Sequence, residues 1–187
     1  MREADDGPAL RVCLDLNVWV ANLLALRLGR TGTAAQTCVA AVERGRSPLG
    51  HVQLVVSWGM LTRLRAVLEE KLRLPHEVAE PYLAAVAASA RVGVPGASLV
   101  VLGGTGVMPI RDTEDAHVVD VAIAGRADVI VTANFADFVH YRAVVLQPER
   151  VAALSHAEGR VVIAQPAMFA EWVRRGELPA EVLRGGE

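Results

Sequence analysis

The chain predicts an α/β fold with a mainly parallel sheet covered by helices on both faces, and three features of the sequence carry that expectation. Short strand-like blocks, such as residues 10–14 and the β-branched 129–132, alternate with apolar runs of helical length, the pattern of strands joined by helical crossovers. The block at 129–132 is a β-branched run and not an alternation of apolar and charged residues, which is how a strand buried on both faces reads. Acidic residues stand where blocks end or helices begin: Asp15 follows Leu14 directly, Asp112 and Asp115 open the run 116–124, and Asp137 lies beyond 129–132.

In chain order, residues 10–14 read as the first strand, and Asn17 starts an apolar helix that runs to about Leu28. Glycines at 29 and 32 break it. Residues 33–44 read as a second helix with Cys38 on its inner face, closed by Gly45. A second strand is expected at 53–56, after which Ser57 caps a helix bearing Leu61, Leu64, Val67 and Leu68 that stops near Leu74 and Pro75. An alanine-rich helix at 77–90 and a third strand at 98–102 follow. Beyond the central helix and strand, residues 143–146 and 160–164 are short β-branched runs, and Pro166 opens a last helix. The expected organisation is one domain over 10–176, with 1–9 and 177–187 as flexible ends.

The 187 residues suit a single core, which must be built from Val, Ala and Leu because only 4% of the residues are aromatic. A formal net charge of -2 excludes a protein that grips nucleic acid by bulk positive charge, so any such contact is local or transient. No apolar run reaches the length of a membrane span, and the acidic start Met1-Arg2-Glu3-Ala4-Asp5-Asp6 is unlike a signal peptide, so a cytoplasmic protein is expected. Cys13 and Cys38 lack metal-like spacing and read as buried thiols. The five histidines, His51, His76, His117, His140 and His156, show no paired ligand spacing, and none is expected to bind metal. Gly103-Gly104-Thr105-Gly106 lacks the Lys-Ser/Thr of a phosphate-binding loop and reads as an ordinary loop.

Asp15 is the leading candidate for chemistry, since sites in open α/β sheets gather outside the carboxyl ends of strands. The same residue would serve as an N-cap for the next helix. Asp112 likewise has the position of an ordinary cap at a helix start, where acids also suit the dipole. Asp115 begins a helix that is apolar nearly all round, and a buried carboxylate needs a partner or a cation. On a helical wheel Asp112 and Asp115 share a side, while His117 and Asp120 point elsewhere. Arg63, Arg65, Lys71 and Arg73 form a basic strip on one predicted helix, read as a solvated face.

Together, the strand followed by Asp15-x-Asn17, the helix start Asp112-Thr113-Glu114-Asp115-Ala116-His117-Val118, and the strand end Val131-Thr132-Ala133-Asn134-Phe135-Ala136-Asp137-Phe138 resemble the PIN domain family. Within it, the chain looks most like the toxin-like PIN proteins of bacterial toxin–antitoxin systems. The resemblance implies a three-layer α/β/α sandwich with a mainly parallel sheet. It also implies an acidic cluster that binds Mg²⁺ or Mn²⁺ and hydrolyses RNA, making the chain an endoribonuclease restrained by an antitoxin protein, with a homodimer as a further association. Carried over by position, the catalytic acids are Asp15, Asp115 and Asp137, and the metal ligands are these three with Asn134. Asn17, Asp112 and Thr132 match supporting positions. Hard divalent cations want several carboxylate oxygens, which agrees with that set.

The chain departs from the family at two places. Many members carry an acid in the helix after the second strand, where this chain has Thr62-Arg63, and many have Asp where Asn134 stands. Arg63 is therefore expected either to pair with a cavity acid or to clamp a substrate phosphate. The rival to the nuclease is a degenerate PIN domain that binds RNA or a protein partner without cutting. A phosphatase-like α/β protein would want an Asp two residues after Asp15, where the chain has Asn17.

Overall fold

The computed structural model describes residues 9–93, 100–101, 113–139, 143–157 and 159–183, with 100, 101, 113–116, 181 and 183 described by backbone alone. The first strand, β1 (Leu10–Leu14), is followed by α1 (Leu16–Arg27) and α2 (Ala34–Arg44). The short β2 (Arg46–Ser47) leads into β3 (Gly50–Ser57) and α3 (Trp58–Ala66), which continues as a π-helical segment over Val67–Lys71. Then come α4 (His76–Ser89), β4 (Val100–Val101), α5 (Thr113–Ala124), β5 (Val129–Val131) and α6 (Phe135–Phe138). The chain closes with β6 (Ala143–Gln147), β7 (Val151–His156), β8 (Gly159–Ala164), α7 (Pro166–Arg175) and α8 (Ala180–Leu183).

The expected α/β sandwich is what forms. The sheet order is β2-β3-β1-β5-β8-β7-β6, with β4 also on β3. Strands β4, β3, β1, β5 and β8 run parallel, while β7 and β6 extend the sheet antiparallel beyond β8. Val12, Cys13, Leu14, Val129, Ile130 and Val131 are completely buried, as their unbroken apolar sequence predicts. From β1 the parallel strands proceed outward to β3 and β4, then return to the other side of β1 for β5 and β8. The order thus reverses between β1 and β5, and the crevice outside their carboxyl ends is the topological switch point where such sheets bind ligands. Helix α2 packs on β1 and β3 with α7 against it; α5 packs on β1, β3 and β5. Right-handed crossovers place α5 on the opposite face, because its connection runs back across the sheet.

Local signals set the helix ends. Thr33 and Gln36 form a reciprocal capping box at α2, Ser57 caps α3 through Met60 N, and Gly45 ends α2 in the left-handed region at φ 62. Strand β7 is absent from the sequence expectation. Its Val-Ala-Ala-Leu core is buried on both faces and rich in alanine, so it carries neither the alternation nor the β-branched density that marks a strand. The expected strand at 98–102 is described only at Val100–Val101. Core packing also continues past residue 176, since Leu178 packs against the core and Val182 is buried. Among the described residues no helix is long and apolar enough to cross a membrane, and both cysteines are free and buried.

Asp128 marks the amino end of the same strands, where its carboxylate accepts a 2.7 Å hydrogen bond from Arg11 N and sets the start of the β1 and β5 pairing. Burial raises its pKa above the usual 3.8, opposed by that hydrogen bond and by the charge of Arg11. A carboxyl whose folded pKa is raised binds more protons folded than unfolded. Its contribution to stability is complete below 3.8 and is lost as pH rises through the folded value. We predict that Asp128→Asn, which keeps an acceptor for Arg11 N, removes this fall. Denaturant midpoints measured from pH 3 upward should show a flatter acid limb in the variant, and a limb identical to the parent's would reject the assignment.

Candidate functional site

Asp15 leaves β1 and caps α1 in one residue. Its backbone is extended, its N–H donates to Val131 O at 3.0 Å, and its Oδ1 accepts from Leu16 N at 2.6 Å. The cap is only part of its role. Oδ2 accepts from Thr132 Oγ1 at 2.7 Å and from Asn17 Nδ2 at 2.6 Å. Thr132, fully buried where β5 ends, also accepts from Asn134 N at 3.0 Å and from Asn17 Nδ2 at 3.2 Å. Asn17 returns its Oδ1 to Ala133 N at 3.0 Å. Residues 15, 17 and 132–134 therefore lock the ends of β1 and β5 together at the switch point, and the buried carboxylate is held by donors, as a group out of water requires.

This network faces a cavity of about 240 Å³ lined by Asp15, Asn17, Arg63, His117 and Asn134, with Met60, Val67 and Val118 among its apolar wall. Asn134 occupies the N-cap position of α6, yet its side chain makes no capping bond, so the amide stands at the cavity. Asp137, one turn further, is exposed and is not among the lining residues. It shares the carboxyl end of β5 with the site but stands outside the wall. Asp115 lies in the first turn of α5 with its side chain outside the described residues, and Asp112 lies outside them altogether. Arg63 lines the cavity, but among the described residues it forms no ion pair. Of the two acids expected to pair with Arg63, Asp15 forms no ion pair with it among the described residues, and the side chain of Asp115 lies outside them.

His117 corrects the helical-wheel expectation, since it reaches the cavity wall. Its Nε2 lies 3.3 Å from Ser57 Oγ, and a Cβ on Gly59 would stand 2.7 Å from the same nitrogen, so only glycine lets α3 approach the ring this closely. Burial lowers its pKa below 6.5, the Arg63 guanidinium lowers it further, and Asp120 opposes both. Reading Ser57 only as a cap concealed this contact, because the pairing spans 60 residues of chain. Next to Asp15, burial drives the Cys13 thiol well above its ordinary range and the nearby carboxylate adds to the effect.

The Asp15 carboxylate and the Asn17 and Asn134 amides line this cavity, and carboxylate and amide oxygens are the donor chemistry of a hard divalent cation. Among the described residues no group of three or more His, Cys, Asp or Glu is close enough to hold a metal, and Asp15 is the one carboxylate in the wall. The described donors thus fit such a cation in kind. A model of the PIN domain matches residues 11–136, most of the chain. The chain belongs to the PIN domain family. Comparison with curated proteins and with solved structures finds no match. PIN domains are generally nucleases and usually use divalent metal ions, so this PIN domain takes its place in a family that hydrolyses nucleic acid.

Proposed function

We propose that this PIN domain is a Mg²⁺- or Mn²⁺-dependent endoribonuclease, the toxin of a toxin–antitoxin pair. The observation that carries the reading is the buried Asp15 carboxylate, fixed by Thr132 and Asn17 at the switch point and facing a cavity that also holds Arg63. Asp15, Asp115 and Asn134 would hold the cation, which when bound polarises the phosphate and lowers the pKa of an attacking water. Asp115 lies three residues before Val118, a cavity-lining residue on the same helix, which supports that role. Asp137 adds negative charge at the same sheet end, and the alignment of Asp15 falls to Asn17 and Thr132. Arg63, without an acid partner among the described residues, takes a phosphate oxygen of the substrate through its planar fork.

We predict that single-stranded RNA is cut with Mn²⁺ or Mg²⁺ and not in EDTA. Arg63→Ala should weaken RNA binding about ten- to hundredfold, the worth of a charge-assisted hydrogen bond of about 1.5–3 kcal/mol, and leave Mn²⁺ affinity unchanged. A calorimetric Mn²⁺ titration that tightens in Arg63→Ala would return Arg63 to the role of competitor for the acids. For the toxin role, induced expression should arrest growth, and Asp15→Ala should relieve it. The antitoxin is then the protein that copurifies and blocks cutting, and size-exclusion chromatography reads the homodimer.

A non-catalytic PIN domain that binds RNA or a protein partner is the second reading, favoured by the single carboxylate in the described wall and by Arg63 where an acid is common in the family. Under it RNA binds with no cut product in either metal, and Asp15→Ala leaves binding unchanged.

A further inference from the structure

Helix α3 has a second face. Met60, Arg63 and Val67 line the cavity with Asp15, whereas Trp58, Leu61, Thr62 and Arg65 line a separate groove against α4. These are the two sides of one helix, each repeating every three or four residues. The groove is larger than the cavity, about 520 Å³, and its far wall carries Leu83, Ala87 and Arg91. Trp58 is 53% exposed there, while the other two tryptophans, Trp19 and Trp172, are 1% and 4% exposed. An indole so exposed beside an apolar groove offers a flat face on which an aromatic partner can stack.

We propose that this groove is a nucleotide subsite, in which an unpaired base of single-stranded RNA stacks on Trp58 while Arg91 and Arg65 meet its phosphates. The inference rests on the nuclease reading and adds the path by which the strand leaves the cavity. Ser57, next to Trp58, touches His117 of the cavity wall, so a strand held at Arg63 has only the first turn of α3 to cross. Arg91 has no ion-pair partner among the described residues. Arg65 is paired with Glu80 across the groove, but their side chains are 46% and 47% exposed, and a pair so hydrated yields readily to a phosphate. The groove floor is apolar, with Leu83, Ala84, Ala87 and Ala88 of α4 facing Leu61. Here the aromatic face is bracketed by guanidinium groups, the combination that stacks a base and neutralises its backbone.

With Trp19 and Trp172 buried, quenching of intrinsic fluorescence by added nucleic acid reads Trp58. A short oligoadenylate titrated into the protein in EDTA should quench saturably, and the same strand in a duplex should not. Affinity from the anisotropy of a labelled oligonucleotide should fall about tenfold in Trp58→Ala, as for loss of one stacked base, and stay near the parent's in Trp58→Phe. In Mn²⁺, Trp58→Ala should raise KM for RNA and leave kcat unchanged. Unmoved emission with unchanged affinity in Trp58→Ala overturns the subsite and leaves the groove to a protein partner. Saturable quenching with no cutting in either metal sinks the nuclease reading alone; cutting with an unchanged KM in Trp58→Ala sinks the subsite alone.

Discussion

Asp15→Asn should stay folded and lose RNA cleavage by at least about a hundredfold, the scale on which a preorganised electrostatic contact at a reacting centre acts. The substitution keeps volume and planarity and removes one charge, so the loss falls on cation binding and not on packing. The hydrogen bonds resist it as well. Oδ1 accepts from Leu16 N, and Oδ2 accepts from both Thr132 Oγ1 and Asn17 Nδ2. Whichever way the new amide turns, its NH₂ meets a donor. One conflict of this kind costs about 1–3 kcal/mol, the desolvation penalty of a buried group left unsatisfied. Steady-state cleavage together with a denaturant titration separates the two effects. Cleavage within a few fold of the parent would place the chemistry elsewhere in the chain.

The fold was legible wherever sequence-local physics decides it. Val12–Leu14 and Val129–Val131 are buried on both faces and therefore continuously apolar, and Thr33, Gly45, Ser57 and Pro166 mark helix ends by side-chain chemistry that needs no tertiary context. Strand β7 was not legible, because its alanines satisfy a helix as well as a strand and its pairing with β8 decides between them. At the site, Asp15 could be singled out by its place after a strand, and Asn17 and Thr132 by the family resemblance. That they bond one another follows from the neighbouring of β1 and β5, which are separated by more than 100 residues of chain.

The misplacement of His117 has a different cause. A wheel drawn on α5 alone puts His117 on the side opposite Asp115, as if a cavity touched a helix along one line. The N-terminal turn of α3 comes close enough at Gly59 to meet the imidazole, so the cavity wraps around α5 and the wall takes residues from two sides of it. The same close approach has a functional consequence. Arg63 lies on that helix, and its charge is felt at His117, so whatever shifts α3 moves Arg63 in the cavity and Trp58 in the groove together.

Thr132→Val is the most informative change that leaves every charge in place. The side chains are nearly isosteric and the position is fully buried, so packing stays and the hydroxyl alone is lost. That hydroxyl donates to Asp15 Oδ2 and accepts from Asn134 N and Asn17 Nδ2. Removing it withdraws a donor from a buried carboxylate and strands a backbone N–H beside a methyl group, for a predicted loss of about 2–3 kcal/mol. Thr132→Ser keeps the hydroxyl and gives up one methyl, for about 0.8 kcal/mol. Cleavage should follow the same order, since Asp15 freed from one of its anchors drifts, and a misplacement of about 1 Å in a reacting constellation costs on the order of a hundredfold. Denaturant midpoints and single-turnover rates for parent, Ser and Val should therefore fall in that order. If Val matches Ser in both measurements, the hydroxyl is a bystander, and the alignment of Asp15 comes from its other partners, Asn17 and the α1 cap among them.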